Sequence, residues 1–373
     1  MIDLLVGGGA SDCLFVGGCV RDAFLGIVSK DFDVEVYGLS YDRILRVLRP
    51  YFNVGLVGES FGTIKVDNEI DLSIPRTESK SGVGHTGFDV LSDPYLDPRA
   101  AFARRDFTIN AIGLRMDGSI YDPFGGVSDL EHGILRAASD AFREDPLRVL
   151  RGVQFAARFG FEMEPRTVQL CREILPEYNT LSAERIWMEW QKWGVKGHHL
   201  GKGLRLLKET GWISCFPEIA ALVDCPQNQE YHPEGDVFTH TTMVCDAAAN
   251  IADEQNFCDK DRMILVFSGL CHDFGKPATT IINKHGKWSS PNHQVEGVTP
   301  ATTFLERMRA PNYLVEHVRN LVREHRAYNI IQIDETPDFS SVRRLANRLT
   351  PSNIRMWTAV CRADALGCGE NCK

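Results

Sequence analysis

The hydrophobic and polar positions of this chain change period several times. From Phe15 to Gly38 an apolar stretch runs into the pair Gly17-Gly18, a short helical pattern follows, and acidic and apolar residues then alternate through Asp31-Phe32-Asp33-Val34-Glu35-Val36. Alternation with period two is that of a half-buried strand, so Asp31, Asp33 and Glu35 point the same way. Tyr41 to Leu48 fits a short helix, and Gly62 to Val66 turns at Asp67-Asn68 into Ile70 to Ile74, a hairpin pattern. If the second hairpin strand lies beside that of Asp31, Asp71 becomes a third carboxylate of one site. Ser79 to Ala101 is rich in Gly, Asp, Pro and Ser without clear periodicity, which predicts a mobile functional loop. From Ala141 to about Pro226 the pattern is helical: Asp145 before Pro146 is a helix-start signal, and Leu147, Leu150, Val153 and Ala157 keep one apolar face. Beyond residue 228 helical patterns continue but now carry histidines. The expectation is an α+β chain with a mixed-sheet head at 1–140, a helical body at 141–227 and a further all-α domain at 228–373.

A length of 373 residues leaves room for two or three domains, and 43% hydrophobic with 24% charged residues describes an ordinary soluble globular protein. No apolar run approaches the roughly 20 residues of a membrane span, and the start lacks the regions of a signal peptide, so the sequence reads as cytoplasmic. Eleven cysteines, an odd number without Cys-x-x-Cys pairs, argue against a disulfide framework or structural zinc site, and Cys368 and Cys372 read as a loose tail. A net charge of −9 counts against binding nucleic acid over the whole surface, yet leaves room for a local basic groove.

Three carboxylates on one strand face repel one another unless a cation sits between them, and the preference of hard cations for oxygen makes Mg²⁺ the natural candidate. Upstream, Gly17 and Gly18 let backbone N–H groups approach phosphate oxygens, with Arg21 one turn on as a bidentate phosphate ligand. Each feature alone also fits something plainer, a turn or a solvated strand face. Arg104-Arg105-Asp106-Phe107 reads either as a helix start with solvated charges or as a grip on a nucleotide, Asp on sugar hydroxyls and Arg on the triphosphate.

Five motifs then occur in a telling order: Gly17-Gly18-Cys19-Val20-Arg21-Asp22, Asp31-Phe32-Asp33, Arg104-Arg105-Asp106 with Asn110-Ala111, Tyr121-Asp122-Pro123-Phe124-Gly125-Gly126, and Glu144-Asp145-Pro146-Leu147-Arg148-Val149-Leu150-Arg151. Together they resemble the class II tRNA nucleotidyltransferases, a family that also contains bacterial poly(A) polymerases. The resemblance implies a polymerase-beta-like nucleotidyltransferase head in which Asp31 and Asp33, helped by Asp71, hold Mg²⁺. It places Gly18, Arg21, Arg105, Asp106, Asn110, Asp145, Arg148 and Arg151 on the nucleotide, with Asp145 and Arg148 reading the base edge as a protein template. Lys192, Lys196, Lys202, Arg205 and Lys208 form a local basic cluster, a candidate surface for the tRNA acceptor stem.

Further on, His240, the dipeptide His272-Asp273 and Asp364 on helical patterns resemble the HD phosphohydrolase superfamily, in which such residues hold a divalent metal, a transition metal or Mg²⁺. His293 and His325 fit further ligands or phosphate contacts. Head, helical body and HD domain in one chain resemble the multifunctional bacterial CCA-adding enzymes. The activity this implies is addition of CCA to tRNA 3′ ends from CTP and ATP, with HD-domain phosphatase and 2′,3′-cyclic phosphodiesterase activity. The alternatives are a poly(A) polymerase, a CC-adding or A-adding enzyme, and, from another class, an HD nucleotide phosphohydrolase with an RNA-binding head. Relatives that add only CC shorten the segment before Arg104-Arg105-Asp106; here it is long, which favours addition of the terminal A.

Overall fold

The structure is a computed structural model and describes residues 1–29, 31–57, 63–80, 88–329 and 339–368. The chain divides into two compact units, Met1–Arg148 with Glu162–Thr180, and Val149–Phe161 with Leu181–Lys373. This differs from three consecutive bodies broken near residues 140 and 227, because the chain leaves the first unit in a helix and then returns to it. Of the described helices, none is long and apolar enough to cross a membrane.

The first unit opens with α1 (Ile2–Gly7), β1 (Asp12–Val16), α2 (Gly18–Phe24), β2 (Phe32–Tyr37) and α3 (Tyr41–Leu48). Next come β3 (Val54–Val57), β4 (Thr63–Val66), β5 (Ile70–Ser73), β6 (Arg76–Lys80), β7 (Phe88–Ser92) and α4 (Pro98–Ala103). They are followed by β8 (Gly113–Leu114), β9 (Ile120–Tyr121), α5 (Gly126–His132) and β10 (Ile134–Leu135). Seven strands form one mixed sheet in the order β3-β4-β5-β2-β1-β8-β9, with β2 and β5 parallel. The expected hairpin is β4–β5, and its turn places Asp67 (φ 49°) and Asn68 (φ 62°) in the left-handed region that a tight two-residue connection needs.

Alternation in β2 does what its pattern requires. Val34 and Val36 enter a core with Leu5, Ile44, Leu48, Ile64 and Leu72. Burying each such side chain contributes roughly 1.5–3 kcal/mol, so a one-residue slip that turned them outward is strongly disfavoured. On the other face Asp33 is exposed, while Tyr37 joins Leu14, Val16 and Phe102 in a second core. The stretch expected to be a structureless loop is instead largely built: β6 and β7 pair antiparallel, Arg76 opposite Ser92, and α4 starts at Pro98. The glycine-rich run Gly82 to Gly87 lies outside the described residues.

In the chain, α6 (Leu147–Phe159) leads into the second unit, and β11 (Glu162–Met163) and α7 (Pro165–Glu173) belong again to the first, where β11 pairs parallel with β10. The second unit continues with α8 (Ala183–Lys196), α9 (Leu200–Glu209), α10 (Pro217–Ala220), α11 (Val237–Glu254), α12 (Asp259–Cys271) and α13 (Lys276–Thr279). It ends with α14 (His293–Glu296), α15 (Val298–Arg307), α16 (Asn312–Glu324), α17 (Phe339–Leu349) and α18 (Ile354–Gly367). Caps mark several starts: Ser182 accepts from Arg185 N, Asp236 from Thr239 N and Asn353 from Met356 N. Two glycines permit close approaches that matter later. A Cβ on Gly367 would lie 2.3 Å from Val244 Cγ2, and one on Gly275 would lie 2.1 Å from the His293 carbonyl oxygen. Without them α18 would stand off α11, and α14 would stand off the turn that carries Asp273.

Candidate active sites

In the first unit, parallel pairing of β2 with β5 sets Asp33 directly beside Asp71. Asp31 precedes β2 on the same side and is exposed. Although Asp33 is exposed as a whole residue, partial desolvation of its carboxyl, together with the repulsion of Asp71 and Asp31, outweighs the attraction of Arg105 and raises the group above its ordinary value. Lys65, the β4 neighbour of Asp71, brings its Nζ to 3.1 Å from Asp71 Oδ1. The all-oxygen donor set of this row of acids would suit Mg²⁺.

Glu35, on the same strand face, is not part of that surface. It is buried, accepts from the Tyr37 hydroxyl at 3.0 Å, and stands 3.7 Å from Arg105 Nη2. Arg105 also lies over the Phe102 ring, and a Cβ on Gly17 (φ 71°) would come within 3.1 Å of its Nη1 and 3.8 Å of Asp33 Oδ2. Gly17 is thus required both by its conformation and by the space that Arg105 and Asp33 occupy. Gly18 begins α2 immediately afterwards.

Arg21 does not present an open fork to phosphate. It is 5% exposed, its Nε and Nη2 donate to Asp22 Oδ1, and its Nη1 donates to Asn110 Oδ1 at 2.6 Å. Asn110 in turn donates to Asp106 Oδ1, which also accepts from Phe107 N. Arg21, Asn110 and Asp106 form one buried chain of hydrogen bonds, and the cation beside Asp33 is Arg105. Arg104 and Arg105 follow the end of α4, so these charges are not a helix start. The motif at Tyr121 to Gly126 is a brace: Asp122 accepts from Gly126 N and Val127 N at the start of α5.

At the start of α6, Asp145 Oδ1 accepts from Leu147 N, the capping role read from its place before Pro146. Arg148 donates to the carbonyls of Ala141 and Arg104, and Arg104 pairs with Glu144 at 2.6 Å. Arg151 belongs to the second unit and lies over Phe155. Of the basic cluster, Lys192 pairs with Glu189, Lys202 donates to the Gly160 carbonyl and Arg205 donates to Thr242, while Lys208 lies over Phe238.

The second unit brings together every residue expected in an HD site. His240 Nε2 is 3.0 Å from Asp364 Oδ1, and His272 Nε2 is 3.1 Å from Asp273 Oδ2. His293 Nε2 lies 3.3 Å from both Asp273 Oδ1 and His325 Nε2. The other ring nitrogen of each histidine is committed. Nδ1 donates to the carbonyl of Gly269 from His272, of Ser290 from His293 and of Val322 from His325, and to Glu234 Oε1 from His240. Carbonyl oxygens only accept, so three of these Nδ1 atoms carry the proton and the Nε2 atoms face the centre, the orientation of metal-ligating imidazoles. His272 Nε2 and Asp273 Oδ2 are buried without a hydrogen bond of good geometry. The donor set therefore fits one divalent ion among His240, His272 and Asp273, with Asp364 Oδ1 close to both imidazoles, and a second among Asp273, His293 and His325.

Electrostatics agree with a site made for positive charge. Burial opposes ionisation of Asp273, but His272 and Lys276 hold it well below the usual carboxylate range; for half-buried Asp364, His240 and His272 do the same. Burial likewise opposes charge on His272, yet Asp273 and Asp364 push it up to about 10. Burial and the neighbouring His272 push His325 down to about 3.

Known families match along the chain: the poly A polymerase head domain over residues 13–136, a family described as "Probable RNA and SrmB- binding site of polymerase A" over 160–222, and the HD domain over 237–366. A multifunctional CCA protein of Acinetobacter baumannii (strain AYE) is 34% identical over 364 residues, covering 94% of this chain and 83% of that protein. The chain belongs to the multifunctional CCA protein family. Another such protein, from Vibrio parahaemolyticus, is 37% identical over 83% of this chain and 74% of its own length. Two solved CCA-adding enzymes share the fold. The Thermotoga maritima enzyme complexed with tRNA is 18% identical, with TM-score 0.60, covering 98% of this chain and 80% of that one. A CCA-adding enzyme with CTP is 19% identical, with TM-score 0.60, covering 99% and 82%.

Sequence reasoning passed over several residues of this family member that touch the two sites. Lys276 stands 2.7 Å from Asp273 Oδ2 and donates to Gln227; its place one helical turn after Asp273 was the available signal. Glu234 and Lys65 carried no signal apart from their charge.

Proposed function

We propose that this chain adds C, C and A to tRNA 3′ ends, taking CTP and ATP as donors and no nucleic-acid template. Family membership supports the reaction, and the observation that carries it is the pairing of Asp33 with Asp71 beside Asp31. These three side chains would hold Mg²⁺, which when bound activates the 3′-hydroxyl and stabilises charge on the phosphates, worth several kcal/mol. Arg105, held by Glu35, faces the triphosphate, with Gly17 and Gly18 keeping the backbone close. Asp106 takes the ribose hydroxyls, and Arg21 acts through Asn110 to hold Asp106 in place. Asp145 accepts from the base amino group. Arg148 reads ring acceptors by exchanging one of its carbonyl contacts, so base reading competes with its hold on Ala141 and Arg104. The basic surface of α8 and α9 fits the acceptor stem, and a cytoplasmic site of action fits the tRNA substrate.

The HD centre carries a second reaction, hydrolysis of phosphoesters including 2′,3′-cyclic phosphates. Four imidazole nitrogens converging on Asp273 and Asp364 favour it, and divalent ions there would supply Lewis-acid activation. Incubating tRNA that ends at the discriminator base with CTP and ATP, singly and together, and sequencing the ends tests the first reading. CCA ends are expected. CC ends or long A tails would identify the alternative polymerases, and no extension with continued cyclic-phosphate hydrolysis would remove the transferase reading. Asp33→Ala and His272→Ala are expected to abolish one activity each.

A further inference from the structure

We propose that His232, Glu234 and Cys368 form a separate binding site for a borderline divalent transition metal such as Zn²⁺. His232 and Glu234 lie in the loop before α11, and Cys368 ends α18. His232 Nδ1 is 2.9 Å from Glu234 Oε1 and 3.7 Å from Cys368 Sγ. One donor atom from each of His232, Glu234, Cys368 and His240 lies within 4.8 Å of the others.

Glu234 supplies the second, independent observation. Its side chain is 5% exposed, and its Oε2 is buried without a hydrogen-bond partner. The Oε1 atom accepts from His240 Nδ1, whose ring gives Nε2 to the HD centre. Of this carboxylate, Oε1 is thus shared by the His232 and His240 imidazoles, and Oε2 has a lone pair with no use. Leaving a buried carboxylate oxygen unmatched is costly, and a cation removes that cost.

The ligand types choose the metal. Tetrahedral zinc sets nitrogen and sulfur ligands ~3.3–3.8 Å apart, which the 3.7 Å between His232 Nδ1 and Cys368 Sγ already matches, and Glu234 Oε2 is the carboxylate oxygen left to join them. A thiolate beside an imidazole selects zinc or a similar ion over Mg²⁺, whereas the HD centre offers nitrogen and oxygen alone. Binding releases the thiol proton to solvent and moves the His232 ring proton from Nδ1 to Nε2, so that Nδ1 and the thiolate both offer lone pairs, and a water completes the coordination. The ion would tie the loop that orients His240 to the end of the helix that carries Asp364.

Cobalt is the probe, because a thiolate ligand gives Co²⁺ a near-ultraviolet charge-transfer band that nitrogen and oxygen ligands do not. Chelator-stripped full-length protein, kept reduced and titrated with Co²⁺, is expected to develop this band. Cys368→Ser should abolish it while circular dichroism and melting stay unchanged, and His232→Ala should weaken binding at least ~10-fold. His272→Ala should keep the band, so the test succeeds or fails independently of whether the HD centre hydrolyses phosphoesters. Cobalt binding without the band, or a band that survives Cys368→Ser, would overturn the proposal.

Discussion

At the scale of single residues, charge placement decides what each polar group can do. Asp33 and Asp71 share one face of the sheet across β2 and β5, where loss of solvent and the neighbouring acids raise the Asp33 carboxyl. Losing one of two such ligands forfeits transition-state stabilisation worth several kcal/mol, and each 1.36 kcal/mol is tenfold in rate. Asp33→Ala should therefore slow nucleotide addition by at least ~100-fold in single-turnover assays; a loss of less than tenfold would reject its metal role. Glu35 sits one pleat further in, bonded to Tyr37 and facing Arg105. Tyr37→Phe removes one hydrogen bond from that buried carboxylate and leaves the Asp33 face unchanged. The expected outcome is a higher KM for nucleotide with little change in kcat.

At the scale of elements, close helix approaches and caps position the sites. Gly367 lets α18 lie against α11 and so brings Asp364 to His240. Gly367→Ala forces a methyl into Val244, which should cost about 1–3 kcal/mol and abolish phosphoester hydrolysis, with nucleotide addition as the control. Glu164 caps α7, accepting from Thr167 N at 2.8 Å and from its hydroxyl. Burial alone would raise its carboxyl, but those hydrogen bonds and Arg136 bring it below its usual value of 4.5. A depressed carboxyl contributes stability that is present above the unfolded value and lost as pH falls through the folded one. Glu164→Ala should thus lower the melting temperature by roughly 2–4 °C at pH 7, for a cap worth about 1 kcal/mol, and the difference should close toward pH 3. A gap that persists in acid would show that the cap does not depend on charge.

At the scale of the whole molecule, the HD centre is a cluster of imidazoles and carboxylates whose desolvation cost a bound cation would offset. Adding Mn²⁺ or Ni²⁺ to chelator-stripped protein should raise the melting temperature by several degrees, since a ligand at a hundred times its Kd contributes about 2.7 kcal/mol. Asp273→Asn, which removes the carboxylate shared by both candidate ion sites, should reduce that rise; an equal rise in the variant would place the stabilising ion elsewhere.

Much of both sites was legible in the chain itself, because local patterns report local chemistry. Strand alternation put Asp31 and Asp33 on one face, Asp67-Asn68 marked the hairpin that carries Asp71, Asp145 was readable as a cap, and the histidines and aspartates of the second unit stood out against apolar helices. Tertiary structure alone decided the rest, since it depends on contacts between residues far apart in sequence. Arg21 looked open to phosphate until Asn110, 89 positions later, took its Nη1. Glu35, passed over for Asp71 in the sequence reading, is bonded to Tyr37 and stands beside Arg105. The polar ribbon β6–β7 and the return of β11 to β10 left no periodic trace, for a few residues of pairing are too short to set a pattern. Sequence alone determined which candidate groups the protein has for metal, phosphate and base; the packing of distant elements determined which of them meet, and which are spent holding the others in place.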